Sequence, residues 1–328
     1  SFMRRTFLAR CLALCLAPAV AVPAAAQTAA SFPSRPIRFV VPNPPGGGND
    51  LLAREIGAEL QKRLGQPVVV ENRPGAGGNI GADTVAKSPP DGYSILMAAN
   101  TFVINPHMVK QMPFDVEKDF APITLAASLP VAMVVHPSLP AKNVQEFIAY
   151  AKTVPGKLNY ATPGPGTPQH LAAELFMTQS GTKMEHVPFK GAGQIVPELL
   201  AGRVQVFFGA INSLLPHIRS GKLRALAVGG TERVSVAPEI PTVREQGLPG
   251  YDVDIWLGVL APAGTPTDIV KKLHAEIVAA MNTPEFKQRI AAHGLDVIAS
   301  SPEKFGEVIR ADLARWGKVV RDAGLKPE

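Results

Sequence analysis

A glycine-rich loop between a predicted strand and a predicted helix carries the clearest chemistry in this sequence. Asn43, Pro45, Gly46 and Gly47 lie in the loop, and Asn49 lies where the helix begins. Glycines let the backbone approach a ligand closely, and the first N–H groups of a helix point outward at the positive end of its dipole. The loop is therefore predicted to bind an anion, the alternative being a turn that merely needs flexible residues. It has neither the P-loop nor the dinucleotide-binding glycine pattern.

A second loop of the same kind follows another predicted strand. It begins at Thr162, contains Gly164 and Gly166, and leads through Thr167 to His170. Thr167 is predicted to cap the helix, with a proline at the first helical position. Its hydroxyl and the adjoining N–H groups are predicted to receive a carboxylate, although a capped helix start alone would give the same pattern. Two such loops predict a cleft in which both helix starts face one anion.

Three further residues are weaker candidates for ligand binding. Asn79 follows a third glycine-rich helix entry, and Asn100 and Thr101 end an apolar strand. Ligand groups of open α/β sheets often lie at the ends of strands. Each of the three residues is predicted to be either a ligand-binding residue or a helix cap.

The elements that must position these loops alternate between strand and helix. Short apolar runs such as 37–41 predict strands, and apolar residues at i, i+4 spacing predict helices, one of which ends at Gly65. Long amphipathic helices are predicted over 267–281 and 302–322. The alternation predicts an α/β fold with largely parallel strand pairing.

Two apolar, extended segments are predicted to cross between two lobes. They cover 123–135 and 251–261, and neither has the bounds of a simple strand–helix unit. If both cross, residues 33–128 and 253–328 form a discontinuous first lobe and residues 129–252 form the second. A pair of crossing segments predicts a hinge, because a few residues can absorb the change in φ and ψ on closure.

The amino-terminal segment has the pattern of a secretory signal peptide. Three arginines precede an apolar run over 11–22, and small residues follow up to Ala26. Residues 1–26 are therefore predicted to be cleaved on export to the periplasm. The run is too short for a transmembrane anchor, and a lipid anchor at Cys15 lacks the small preceding residue. Both cysteines lie in this segment, so the exported protein is predicted to have none.

Charge and histidine spacing argue against several classes of protein. The formal net charge of +6 includes the three arginines of the leader, which leaves about +3 (6 − 3) for the rest of the chain. The basic residues are scattered, so nucleic-acid binding is not predicted. The seven histidines form no paired metal motif on a helix, and no G-x-S-x-G elbow occurs. The sequence predicts neither metal nor cofactor nor catalytic residues.

The chain resembles the substrate-binding receptors of tripartite tricarboxylate transporters, the Bug family, over essentially its whole predicted mature length. The similar segments occur in the same order along the chain. They are Val40 to Pro42, Pro44 to Gly47, Glu71 to Gly78, Pro90 to Tyr93, Gly164 to Ala172, Val187 to Gly191, Leu215 to Ile218, Gly221 to Arg224 and Ala261 to Pro266.

The resemblance implies a two-lobed periplasmic binding-protein fold of the type II kind, with mixed sheets flanked by helices. It implies that a small organic carboxylate is held between the two glycine-rich loops. The ligand would then pass to a membrane permease of one large and one small subunit. The receptor is expected to act as a monomer.

Two positions depart from the family pattern. Asn43 stands where the family usually has an aromatic residue, which predicts a more polar pocket wall. Gly209 stands where many members carry an aspartate, which argues against recognition of an amino group. Both are kept as candidate ligand-binding residues, together with Asn212.

Two other classes of protein remain open from the sequence. A periplasmic sensor that passes its signal to a partner would need the same ligand chemistry as a transport receptor. A hydrolase or transferase on a doubly wound fold would need a nucleophile–base pair, which the sequence does not provide.

Overall fold

A computed structural model describes residues 29–327, so the predicted signal peptide and its cleavage site lie outside the described residues. The strands are β1 (Ile37–Val41), β2 (Val68–Asn72), β3 (Ser94–Ala99), β4 (Phe120–Val135), β5 (Asn159–Thr162), β6 (Glu185–Pro188), β7 (Val206–Ala210), β8 (Arg224–Val228), β9 (Asp254–Pro262) and β10 (Asp296–Val297). The helices are α1 (Gly48–Leu64), α2 (Asn79–Ala86), α3 (Thr101–Met108), α4 (Val144–Thr153), α5 (Pro168–Ser180), α6 (Ala192–Leu200), α7 (Ile211–Arg219), α8 (Thr267–Met281), α9 (Pro284–Ala291) and α10 (Pro302–Asp322).

Local signals in the sequence account for the helix ends. Gly65 adopts a left-handed conformation (φ 71°) and ends α1, because glycine reaches that region without steric cost. The Asn143 side chain accepts a hydrogen bond from the Glu146 N–H and caps α4. Ser301 caps α10 in the same way, with proline at the first helical position. The predicted bounds of α8 and α10 are confirmed.

Strand pairing is mixed, with more antiparallel pairing than the sequence predicted. The order is β2-β1-β3-β9-β4-β7-β5-β6, and β8 and β10 also pair with β4. β1 pairs in parallel with β2 and β3, and β5 pairs in parallel with β6 and β7. However, β9 is antiparallel to β3 and β4, and β4 is antiparallel to β7 and β8. The prediction of largely parallel pairing is wrong, because the two long strands, β4 and β9, run antiparallel to the strands beside them.

The two segments predicted to cross between lobes are these long strands. Residues 120–130 of β4 pair with β9, and residues 131–135 pair with β7 and β8. Beyond β8, the Gly229 N–H donates to the Val131 carbonyl and the Val253 N–H donates to the Gly229 carbonyl. β4 therefore joins two halves of the sheet. The first half contains β1, β2, β3, β9 and β10, and the second half contains β5, β6, β7 and β8.

Helix α10 covers the first half of the sheet and anchors β9. The Trp256 ring of β9 packs edge-on against Phe305, with ring centroids 5.4 Å apart. The Trp256 indole N–H donates to Asp312 Oδ2 at 2.8 Å. Both rings are buried, so this contact fixes β9 against α10 with its polar atom satisfied.

Asp254 is an ionisable residue at the point where β9 and β4 separate. Its Oδ1 accepts a hydrogen bond from the Val131 N–H at 3.2 Å. Burial, assisted by the nearby charges of Asp252 and Asp296, raises the pKa of Asp254 from 3.8 to about 7. Between these two pH values the carboxyl group of Asp254 is protonated in the folded protein but ionised in the unfolded chain. The free energy of unfolding should therefore fall as pH rises from about 4 to about 7.

Replacing Asp254 with asparagine should remove this pH dependence. Asparagine keeps the acceptor for Val131 but carries no charge. Asp254→Asn should therefore be about 1–2 kcal/mol more stable than the wild type at pH 8, after allowance for partial solvation, and the difference should shrink towards pH 5. Urea unfolding at the two pH values measures this, with Asp268→Asn on the exposed start of α8 as control. An advantage that is equal at both pH values would contradict the assignment.

Candidate functional site

The first glycine-rich loop joins β1 to α1 and is exposed at Pro45, Gly46 and Gly47. Gly46 has φ +94°, and Gly47 is the extended N-cap residue of α1. The Gly46 N–H donates to Asp50 Oδ2 at 3.0 Å. In this structure the chain's own carboxylate accepts this N–H, and ligand binding by Gly46 stays a prediction.

Other N–H groups of this loop remain available. Among residues 29–327, the N–H groups of Gly47, Gly48 and Asn49 have no hydrogen-bond partner. The first N–H groups of a helix have no acceptor within the helix and carry its positive partial charge. The start of α1 can therefore donate to an anion through these three groups.

The predicted residues Asn43 and Asn49 contact each other. The Asn49 side-chain amide donates to Asn43 Oδ1 at 2.8 Å, and the Asn72 amide donates to the Asn43 carbonyl at 3.1 Å. The Asn43 side chain therefore stabilises the loop through a hydrogen bond inside it.

Asp50 anchors the loop and was not predicted as a site residue. It is 5% exposed and accepts hydrogen bonds from Gly46, Arg54 and Asn72. Burial acts to raise the pKa of Asp50, but the hydrogen bonds and the Arg54 charge outweigh it and the pKa is lowered. The carboxylate is therefore ionised, and Arg54 balances its charge.

The second glycine-rich loop joins β5 to α5 and folds around its own polar groups. Thr167 is the N-cap residue, as predicted, and its hydroxyl accepts from the His170 N–H at 3.4 Å. The same hydroxyl donates to the Gly164 carbonyl at 2.8 Å. The single proton of this hydroxyl is therefore engaged inside the loop in this structure, and its binding to a ligand carboxylate stays a prediction.

The glycine N–H groups of this loop are also engaged. The Gly164 N–H donates to Thr162 Oγ1 at 3.2 Å, and the Gly166 N–H donates to His170 Nδ1 at 3.1 Å. Within the described residues, the N–H groups of Thr167 and Gln169 have no partner. Gln169 was not predicted as a site residue; it is the first residue of α5 after the proline and so has a free N–H.

A stack of rings supports this loop from below. The His170 and His186 rings lie parallel with centroids 4.1 Å apart, and Tyr160 stacks on His186 at 5.1 Å. His186 Nε2 lies 2.6 Å from Thr162 Oγ1. Burial, then the neighbouring His170 charge, lowers the pKa of His186 to about 4. His186 is therefore neutral near pH 7 and can accept the Thr162 proton.

Glu174 completes the support. Its Oε1 accepts the Tyr160 hydroxyl at 2.6 Å and lies 3.4 Å from His170 Nε2. Burial acts to raise the pKa of Glu174, but hydrogen bonds from His170 and Tyr160 lower it overall. Burial also raises the pKa of Tyr160 well above its ordinary value, so Tyr160 remains a hydrogen-bond donor.

Asn100 has a structural position rather than a ligand-facing one. It is wholly buried, its amide donates to the Asp254 carbonyl at 3.0 Å, and its Oδ1 accepts from the Trp256 N–H at 2.9 Å. Both ends of its side chain therefore extend the pairing of β3 with β9. These contacts give Asn100 a structural role, and its ligand-binding role stays a prediction.

Asn79 and Thr101 lie close together near the start of α2. The Asn105 amide donates to Asn79 Oδ1 at 2.8 Å, and the Asn79 amide lies 3.5 Å from the Met112 sulfur. Both predicted residues line a cavity of only about 10 Å³. This space is too small for an organic acid.

Gly209 and Asn212 lie on β7 and α7. A Cβ atom on Gly209 would lie 2.2 Å from Cε1 of Phe207, so the Phe207 ring fills the space that a side chain would need. Asn212 is exposed, and its Oδ1 accepts from the Ser213 N–H at 3.0 Å. Gly209 therefore offers no side chain, and none fits there unless Phe207 moves.

The structure places the two glycine-rich loops at separate helix starts. No hydrogen bond joins them within the part of the chain that the structure describes. From the first half of the sheet, the Met108 side chain approaches the second loop, since a Cβ on Gly166 would lie 3.0 Å from Met108 Cγ. This contact brings the end of α3 next to the start of α5.

A cavity of about 700 Å³ lies beside β9, β10 and α10. Its two guanidinium groups are already paired, Arg233 with Glu245 at 2.9 Å and Arg315 with Asp312 at 3.0 Å. The negative lining repels a carboxylate, so the helix starts are the better anion site. The lining carboxylates are Glu232, Asp252, Asp254, Asp296 and Asp312.

Two features are absent from residues 29–327. No helix there is long and apolar enough to cross a membrane. No group of three or more histidine, cysteine, aspartate or glutamate side chains there is placed to hold a metal ion.

Comparisons with known proteins agree with the fold. The sequence model of the tripartite tricarboxylate transporter receptor family matches residues 52–325. BugT of Bordetella pertussis is 36% identical over 309 residues, which cover 94% of each chain. The structure of Rpa4515 of R. palustris with adipate has a TM-score of 0.80 at 35% identity, covering 90% of this chain and all of that one.

A third relative was also solved with a dicarboxylate. MatC of Rhodopseudomonas palustris with bound malate has a TM-score of 0.75 at 33% identity, covering 88% of this chain and all of that one. The predicted α/β binding-protein fold and the predicted family are thereby confirmed.

The lowered pKa of His186 predicts how stability changes in acid. In the unfolded chain His186 binds a proton near pH 6.5, whereas in the folded protein it binds one only near pH 4. The free energy of unfolding should therefore fall as pH drops between these values. His186→Gln keeps an acceptor for Thr162 but does not titrate. The free energy of unfolding of His186→Gln, relative to that of the wild type, should rise by about 1–2 kcal/mol between pH 7 and pH 5.

Urea unfolding at pH 7 and pH 5 measures this gain. His293→Gln, at an exposed histidine, is the matched control. A stability difference between His186→Gln and wild type that stays constant over this range would show that His186 does not titrate as described.

Proposed function

This chain belongs to the family of tripartite tricarboxylate transporter receptors, and from that premise we propose that it captures a small organic carboxylate and delivers it to a membrane transporter. Members of this family are solute-binding receptors rather than enzymes. The proposed site of action is the periplasm, after removal of residues 1–26. The proposed transporter partner is a permease of one large and one small subunit, and the proposed receptor is a monomer.

The observation that carries the proposal is the set of free N–H groups at the starts of α1 and α5. Gly47 and Gly48 offer them on one side, and Thr167 and Gln169 on the other. An oxyanion accepts hydrogen bonds from such groups and gains from both helix dipoles. Closure of two lobes, 33–128 with 253–328 against 129–252, would bring both starts to one ligand about the crossing strands.

The proposed ligand is a dicarboxylate without an amino group. Two related receptors were solved with adipate and with malate. Phe207 fills the space over Gly209, so this chain offers no carboxylate there to pair with a ligand ammonium group. A dicarboxylate fits this chemistry better than an amino acid does.

A thermal-shift screen followed by calorimetry tests the function. Adipate and malate should raise the melting temperature, whereas neutral dimethyl adipate and the amino acid glutamate should not. A ligand at 100 times its Kd adds about 2.7 kcal/mol to the free energy of unfolding. Mass spectrometry should recover the acid unchanged. A chemically altered acid, or no shift with any dicarboxylate, would contradict the proposal.

Replacing Gly47 tests the donor role of its N–H. Gly47 has φ −80°, which proline can adopt, and no atom lies within 4 Å of a Cβ placed there. Gly47→Pro removes the N–H and should weaken adipate binding about tenfold or more, since a hydrogen bond to a charged group contributes about 1.5–3 kcal/mol. Gly47→Ala keeps the N–H and is the matched control. Equal affinities of the two variants by calorimetry would exclude this donor.

A further inference from the structure

The two glycine-rich loops contain the same internal hydrogen bond. In each, a glycine of positive φ stands just before the N-cap residue, Gly46 at +94° and Gly166 at +71°. In each, the N–H of that glycine donates to the side chain four residues later, Asp50 at 3.0 Å and His170 at 3.1 Å. Both acceptors are the third residue of their helix.

We propose that Asp50 and His170 are a matched pair of positioning residues, which hold these glycine N–H groups so that the next free N–H groups of each loop face the ligand. The proposal rests on the proposed function for the role of the loops. Neither residue needs to contact the ligand itself.

Such a bond is needed because glycine has the most backbone freedom of any residue. Glycines at positive φ give the loop its turn but leave its conformation weakly determined. A loop that must become ordered on binding loses affinity, whereas a loop held in its binding conformation does not. An acceptor on the rigid first turn of the helix supplies that order.

Asp50 fulfils this role although a carboxylate beside an anion site would normally repel the ligand. Arg54 donates through Nε to Oδ2 at 3.1 Å, and its Nη2 lies 2.9 Å from Oδ1. Asn72 donates to Oδ1 at 2.9 Å. Both oxygens are therefore satisfied, and Arg54 offsets the charge.

His170 fulfils the same role through a ring nitrogen instead of a carboxylate. A backbone N–H can only donate, so Nδ1 of His170 must accept from Gly166 and its proton must lie on Nε2. Nε2 faces Glu174 Oε1 at 3.4 Å, and the ring is held flat against His186. Glu174 and His186 thus fix the tautomer and the ring plane that the bond to Gly166 requires.

Two substitutions at His170 separate positioning from simple packing. His170→Asn places an amide oxygen near the position of Nδ1 and should keep the bond to Gly166. His170→Gln places its amide near the position of Nε2 and should lose that bond. At the other loop, Asp50→Asn keeps an acceptor for Gly46, and Asp50→Ala removes it.

Amide hydrogen exchange, followed by NMR in the ligand-free protein, tests the two bonds directly. Gly166 should exchange at least tenfold faster in His170→Gln and within threefold of wild type in His170→Asn. Gly46 should respond in the same way to Asp50→Ala and Asp50→Asn. Each loop serves as the control for variants in the other. Fast exchange of both glycines in the wild type would overturn the proposal.

Calorimetry with adipate and with malate, with melting temperatures measured alongside, tests the effect on binding. His170→Gln and Asp50→Ala should weaken binding about tenfold, and the asparagine variants less than threefold. The positioning role would be overturned if affinity fell equally in His170→Asn and His170→Gln, or equally in Asp50→Asn and Asp50→Ala. A wild-type protein that binds neither acid would overturn the proposed function for these ligands, while the exchange data would still decide whether the glycine N–H groups are held.

Discussion

The first N–H groups of a helix have no acceptor within the helix, and this constraint organises the candidate site. At the starts of α1 and α5 the chain satisfies some of these donors itself and leaves others free. Thr167 accepts the His170 N–H, while Asp50 and His170 hold the glycine N–H groups just before each cap. Among residues 29–327, no group accepts a hydrogen bond from the N–H groups of Gly47, Gly48, Thr167 and Gln169. The division between satisfied and free donors defines where an anion can bind.

In the proposed closure, the long strands β4 and β9 would join the two helix starts and still allow them to move. β4 pairs with β9 over its first part and with β7 and β8 over its last part, so one strand serves both halves of the sheet. Asn100 ties the end of β3 to β9, and Asp254 bonds β9 to β4 where the two strands separate. At the proposed hinge, where β4 and β9 separate, the side chains of Asn100 and Asp254 bond to backbone groups that regular strand pairing would otherwise satisfy.

The sequence predicts the elements and both loops well because they depend on local signals. Apolar spacing, glycines and caps specify α1, α5, α8 and α10. The antiparallel course of β9 was missed because pairing direction depends on distant strands. The structural role of Asn100 could not be predicted, because nothing nearby in the sequence shows that β9 bonds to both ends of its amide. Asp50 and His170 are polar side chains four residues after a loop glycine, and this spacing is visible in the sequence. The hydrogen bond itself also needs the positive φ of Gly46 and Gly166, which the sequence does not show.

In the proposed complex, a ligand carboxylate binds to the free N–H groups of both helix starts while Gly46 and Gly166 remain bonded to the chain. A crystal structure grown with adipate would show whether it does. We expect carboxylate oxygens about 3 Å from the nitrogens of Gly47 or Gly48 and of Thr167 or Gln169, with both glycine bonds intact. Adipate bound elsewhere, or bound to the Gly46 or Gly166 N–H in place of Asp50 or His170, would contradict it.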